Sequence, residues 1–160
     1  MTSADATMAA INEAVTLGRQ GDSATARDRL TALWEKIGAE GDPLHRCTLA
    51  HYLADLFDHA ADSLTWDVRA LDAADALTDE RARQEHASLS VQGFYPSLHL
   101  NLADNYRRLG AFDTARRHLE AAEDRAGVLA DDGYGAGVRA GITNVRNAIA
   151  DGSTDRLPTH

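Results

Sequence analysis

The chain has 160 residues, a net charge of −9 from 16 basic and 25 acidic side chains, and 6% aromatic residues. That length fits one domain with a real core, since a chain near 150 residues buries roughly 70% of its unfolded surface. The acidity disfavours binding to phosphate backbones, the single cysteine excludes an internal disulfide or a cysteine-cluster zinc site, and no apolar run approaches the roughly 18 residues of a membrane span.

The start, Met1-Thr2-Ser3-Ala4-Asp5, has neither the basic opening nor the apolar core of a secretory signal, so a soluble, cytoplasmic protein is expected. A first helix is predicted from about Thr7 to Gln20, with Ile11, Ala14, Val15 and Leu17 apolar and Gly21 ending it. The second carries Ala26, Leu30 and Leu33 on one face, continued by Trp34 and Ile37, and closes at Gly38. Asp42 is placed to cap a third helix that has Pro43 at its first position. This third helix should run to His59 with Leu49, Leu53, Leu56 and Phe57 as its core stripe. Cys47 lies on it and reads as a small buried hydrophobe. A fourth, from about Asp62 to Leu77, offers Trp66, Ala70, Ala73 and Ala74.

Thr78-Asp79-Glu80 is a good helix start. Arg81 to Val91 could then make three turns, but the apolar content (Ala82, Ala87, Leu89, Val91) is thin, which predicts a surface position. Gly93-Phe94-Tyr95-Pro96 should break the chain, because a proline disfavours the helical region for the residue before it, here Tyr95. The next helix has Leu98, Leu102, Tyr106 and Leu109 on one face, and Gly110 stops it. Its partner presents Ala115, Leu119 and Ala122, small enough for close helix approach. Asp131-Asp132-Gly133 forms a turn into a last helix with Tyr134, Val138, Ile142, Val145 and Ile149 on one face. Residues 151–160 read as a flexible tail.

The pair Leu102-Ala103-x-x-Tyr106 and Ala115-x-x-x-Leu119-x-x-Ala122 resembles a tetratricopeptide repeat. Leu53-Ala54-Asp55-Leu56-Phe57 parallels its first half, and Ala26-x-x-x-Leu30-x-x-Leu33 its second. The chain departs from the pattern at His99, at Gly127 and at Trp66, which stand where the family has Trp, Pro and Ala. The resemblance implies an all-α, antiparallel helix-hairpin array in a single domain over 1–150. Its repeats would span about 7–42, 43–77 and 96–129, with an insertion at 78–95 and a capping helix at 134–150. Fifteen of the sixteen basic residues are Arg, a usage similar to that of high-GC bacterial genomes.

In the resembled family the first helix of each repeat lines a concave groove. That implies a groove formed by His51, Asp55, Asp58 and His59, by Leu100, Asn101, Asp104, Arg107 and Arg108, and by Tyr134 of the cap. Such a groove of mixed charge suits a non-enzymatic module that binds a protein, a peptide or a second copy of itself, with no role for nucleic acid or membrane. The family's carboxylate clamp is not supported, because the first repeat offers only Arg19 and Lys36 sits on an outer helix. Phe94 and Tyr95 are either a second interface or the plug of a helix junction.

The alternative is a small metal- or ligand-binding sensor. On one continuous helix, His51, Asp55 and His59 would recur at i, i+4 and i+8, and a histidine and a carboxylate one turn apart can share a divalent ion. No HExxH motif accompanies them and no fourth ligand is evident, so no metal and no other cofactor is assigned. Otherwise they are helix-surface pairs worth about 0.2–0.5 kcal/mol each. Chemistry finds no foothold. Gly133-x-Gly135-x-Gly137 follows no strand, and nothing orders a nucleophile, a base and an orienting group.

Overall fold

A computed structural model describes residues 5–86 and 89–158, and among these the chain is all-helical, with no strand. Eight α-helices follow in order: α1 Ala6–Arg19, α2 Ser23–Ile37, α3 Pro43–Ala54, α4 Ala60–Ala76, α5 Asp79–Glu85, α6 Tyr95–Arg108, α7 Phe112–Arg125 and α8 Gly133–Ala150. Short 3₁₀ turns at Val91–Gly93 and Ala126–Val128 precede α6 and follow α7. The helices gather into two compact units, Met1–Leu89 and Ser90–His160.

In the first unit α1 pairs with α2 and α3 with α4, while α3 also touches both helices of the first pair. The starts of α1, α2 and α3 are each set by a short polar side chain that takes up a backbone N–H with no partner inside the helix. Asp5 Oδ1 accepts from Met8 at 3.0 Å, Asp22 from Thr25 at 3.3 Å, and Asp42 from Leu44 at 2.9 Å, with Pro43 in the first turn as its sequence position implies. The core is aliphatic and small: Ile11, Ala14, Ala26, Leu30, Leu49, Leu53, Ala70 and Ala73 have no exposed surface. Cys47 joins it, as expected, and burial pushes its thiol up to about 12.

Helix α5 is shorter than expected. Thr78 caps it as predicted, but it ends at Glu85, and Ala87 lies outside the described residues. Most of it lies on the surface as expected, with Asp79, Glu80, Arg83 and Gln84 exposed, but it is anchored at one turn. Ala82 is fully buried, and Arg81 reaches the starts of two other helices. Its Nη2 donates to Asp5 Oδ2 at 2.9 Å and its Nε to Asp42 Oδ2 at 2.8 Å, while His45 Nε2 lies 2.8 Å from the same Asp5 oxygen. One guanidinium thus ties the capping carboxylates of α1 and α3 together. Burial alone would raise the Asp5 carboxyl, but the hydrogen bonds with His45, Met8 and Arg81 bring it down to about 2. Asp42 is lowered in the same way.

In the second unit α6 and α7 pair, and α8 packs on both. Leu100, Ala103, Ala115, Leu119, Ala122, Val138, Ile142, Val145 and Ile149 form its core. Gly110, at φ +80°, ends α6 in the backbone region that glycine enters without penalty. The predicted face of α6 is only partly right. Leu98 and Leu102 are buried and Tyr106 is half-buried, but Leu109 is exposed. Tyr95 also differs from expectation: it opens α6 instead of breaking the chain, and Phe94 before it is already in the helical region. The break falls one turn earlier, at Val91–Gly93. Asp132 Oδ1 accepts from Gly135 at 2.8 Å and starts α8, whose first turn comes so close to the Ala130 carbonyl that Gly135 has no room for a Cβ.

The segment after α8 is not a free tail over its described length. Ser153 N donates to Ala148 O at 3.0 Å, closing the helix end. The Ser153 carbonyl accepts from Arg107 Nη1 at 2.7 Å, and Leu157 packs against the core. A buried cation on α6 needed an acceptor, and the segment supplies a main-chain one.

Candidate functional site

The first unit carries an open cleft of about 480 Å³ beside α2, lined by Arg27, Asp28, Thr31, Glu35, Phe57 and Trp66. The period of α2 places it. Ala26 and Leu30 point into the core, so Arg27, Thr31 and Trp34 fall on the neighbouring stripe at i, i+4 and i+7. Trp34 meets Trp66 of α4 edge to face, with ring centres 5.1 Å apart and planes at 89°. Arg69, one turn after Trp66, lies over both indoles, 4.5 Å from Trp66 and 5.4 Å from Trp34. Arg27 lies 5.7 Å from the centre of the Phe57 ring and donates to the Leu56 carbonyl at 3.3 Å. The cleft wall therefore carries the rings of Phe57 and Trp66 and the guanidinium of Arg27, with the exposed carboxylates of Asp28 and Glu35 at the rim, while Trp34 and Arg69 pack against Trp66.

Trp66 stands where the resembled repeat has alanine, and here it fills space next to Trp34. The sequence reading placed both tryptophans on apolar helix faces and overlooked the cleft. The available signal was Arg27, Thr31 and Trp34 recurring one turn apart beside, and not on, the core stripe.

The residues assigned to a groove meet different fates. In the first unit α3 ends at Ala54, five residues short of its predicted end. Asp55 is the first residue beyond its C-terminus and His59 the residue before the start of α4, so His51, Asp55 and His59 do not share one helix. The i, i+4, i+8 metal argument fails on that ground, and the described residues hold no group of three His, Cys, Asp or Glu arranged to bind a metal. Asp55, Asp58 and His59 are exposed together on the turn that also carries Phe57. His51 is half-buried, with Nδ1 3.9 Å from Oδ1 of the buried Asp67. Burial would lower the His51 pKa, but the neighbouring Asp67, helped by the charge of Asp55, raises it.

In the second unit Leu100 belongs to the core, a correction to its groove assignment. Arg107 is corrected too: it has no exposed surface, and its Nε and Nη2 both donate to Asp104 Oδ1, at 3.0 and 2.8 Å. Asn101 and Arg108 are half-buried. Tyr134 is 57% exposed and its hydroxyl donates to Ser97 Oγ at 3.0 Å. Phe94 and Tyr95 are half-buried at the start of α6, and Arg125 lies 5.8 Å from the centre of the Tyr95 ring.

No protein-family model matches the chain, and neither the curated proteins nor the solved structures contain a match to it. No helix among the described residues is long and apolar enough to cross a membrane.

Proposed function

We propose that this chain is a non-enzymatic interaction module built from tetratricopeptide-like helix hairpins, and that its first unit binds a basic segment of a partner protein at the Trp34–Trp66 cleft. The observation that carries this reading is the composition of the cleft. Trp, Phe and Arg are enriched in protein interfaces, and Trp and Arg in the few residues that dominate binding energy. Here Trp66, Phe57 and Arg27 line one accessible concavity. Asp28 and Glu35 at the rim, with Asp55 and Asp58 on the turn bearing Phe57, outnumber the two arginines and favour a partner of opposite charge. The helix pairs α1/α2, α3/α4 and α6/α7, followed by α8, are consistent with the repeat-like part of the reading.

Of the two tryptophans, Trp66 lines the cleft and Trp34 packs edge to face against it, so intrinsic fluorescence reports on the cleft. Arginine-rich and glutamate-rich peptides, each containing aliphatic residues but no tryptophan, are titrated into the full chain. The arginine-rich peptide should shift the emission saturably, and Asp28→Lys with Glu35→Lys should abolish the shift. No saturable shift with the arginine-rich peptide, or an equal shift with the glutamate-rich one, would refute the proposal.

A further inference from the structure

Between α6 and α7, His99 and His118 meet nitrogen to nitrogen. Their Nδ1 atoms are 3.1 Å apart, their ring centres 5.4 Å, and their planes are inclined by 27°. The difference between the two distances is the centre-to-nitrogen radius of one imidazole on each side. Both Nδ1 atoms therefore lie on the line joining the ring centres, and the rings meet edge to edge with their in-plane orbitals aimed at each other. Two bare nitrogens in this position repel, and so do two N–H groups. Only one arrangement bonds: one ring carries hydrogen on Nδ1 and the other presents its lone pair. A metal ion held by both in-plane lone pairs would have to lie on this line, and two bonds of about 2.0–2.1 Å would then need nitrogens about 4 Å apart.

We propose that His99 and His118 share a single proton between their Nδ1 atoms, and that this pair is an acid-sensitive clasp on the α6–α7 hairpin, closed while one Nδ1 is bare and released when both are protonated. The first proton taken up adds to the remote nitrogen of the donor ring, and it leaves the N–H···N bond in place as a charge-assisted one. The second must add to the acceptor Nδ1. That breaks the bond and sets two imidazolium rings 3.1 Å apart at their nearest nitrogens.

The surroundings favour this sequence. On α6 the pair faces Tyr95, whose ring centre is 6.1 Å from that of His99, and Tyr106, whose ring is parallel to His118 within 5° at 5.4 Å. On α7 it has Arg117 beside His118, and Arg125 over Tyr95. Burial first, and Arg117 second, hold the His118 pKa below the usual histidine value. Among the carboxylates of these helices, Asp104 pairs with Arg107, Asp113 with Arg116, and Glu123 with Arg146 of α8. On α8, Tyr134 donates to Ser97, and Arg139 donates to the Leu129 and Ala130 carbonyls.

The test is a nitrogen-15 NMR titration of the imidazoles in the full-length chain from about pH 8 to about pH 4, with hydrogen exchange of α6 and α7 followed in parallel. At the upper end one of the two rings should be the Nδ1–H form. The pair should titrate in two steps separated by more than about one pH unit, as strongly coupled groups do. Exchange in α6 and α7 should rise sharply with the second step. His99→Phe should leave His118 titrating in one step and remove that acid-linked rise. Two Nε2–H rings titrating independently in the unaltered protein would overturn the proposal, with no variant needed. An acid-linked rise that persists unchanged in His99→Phe would overturn it as well.

Discussion

Arg107 offers the sharpest test of how the second unit is held together. Its guanidinium is fully buried and makes three donor contacts, two to Asp104 Oδ1 and one to the Ser153 carbonyl. Arg107→Met keeps much of the aliphatic volume, so the cavity contribution is small. What is lost is electrostatic. Removing one partner of a buried ion pair costs about 3–5 kcal/mol when the other charge stays dry. The Asp104 side chain is 18% exposed, so hydration recovers part of this and places the loss near the lower end of that range. The Ser153 carbonyl also loses a charged donor, worth about 1.5–3 kcal/mol, although the two losses overlap because they share one group. The expected destabilisation is about 3 kcal/mol. Adding Asp104→Leu should recover part of it, because the stranded charge then disappears while the carbonyl still lacks its donor. Urea unfolding followed by far-UV circular dichroism gives the stabilities. Hydrogen exchange at Ser153 should accelerate in both variants. A loss below about 1 kcal/mol for Arg107→Met, or a double variant less stable than the single one, would refute the reasoning.

Three further outcomes follow from the first unit. Asp5 and Asp42 have folded pKa values depressed below 3.8, so their contribution to stability is fully present above that value and is lost as pH falls through the folded values, about 2 for Asp5; Arg81→Ala should flatten this acid limb in pH-dependent unfolding. The His51 pKa is raised above 6.5, so the stability it draws from Asp67 is present below pH 6.5 and lost as pH rises through the folded value; Asp67→Asn should bring the NMR titration midpoint of His51 down. Cys47, with its thiol pushed up to about 12 by burial, should react with iodoacetamide at least about 100-fold more slowly in the native chain than in urea, as read by mass spectrometry.

Much of the local structure was legible in the sequence. The carboxylate cap at Asp42, the helix start at Thr78 and the glycine stop at Gly110 all depend on groups within a few residues along the chain, and short-range chemistry writes itself into short-range pattern. The buried stripes of α1, α2, α7 and α8 follow from the helical period in the same way, except that Tyr134, expected on the α8 face, is exposed. Where α3 ends was not legible, and with it went the alignment of His51, Asp55 and His59. The periodicity runs on through Leu56 and Phe57, yet the Leu56 carbonyl is spent on Arg27 of α2, 29 residues away in sequence. Arg107 was expected to line a groove because the resembled repeat turns that position outward from the core, and it is instead buried, held by Asp104 one turn away and by the Ser153 carbonyl from beyond α8. Arg81 likewise finds Asp5 across 76 residues, and His99 finds His118 across a turn that fixes which edges of two helices meet. The sequence alone determined most of the helical segments and much of their apolar faces, because those depend on neighbours along the chain. Tertiary structure alone decided which charges are buried, which histidines share a proton and which aromatic rings line a cleft, because each depends on the distance between atoms that the chain order leaves free.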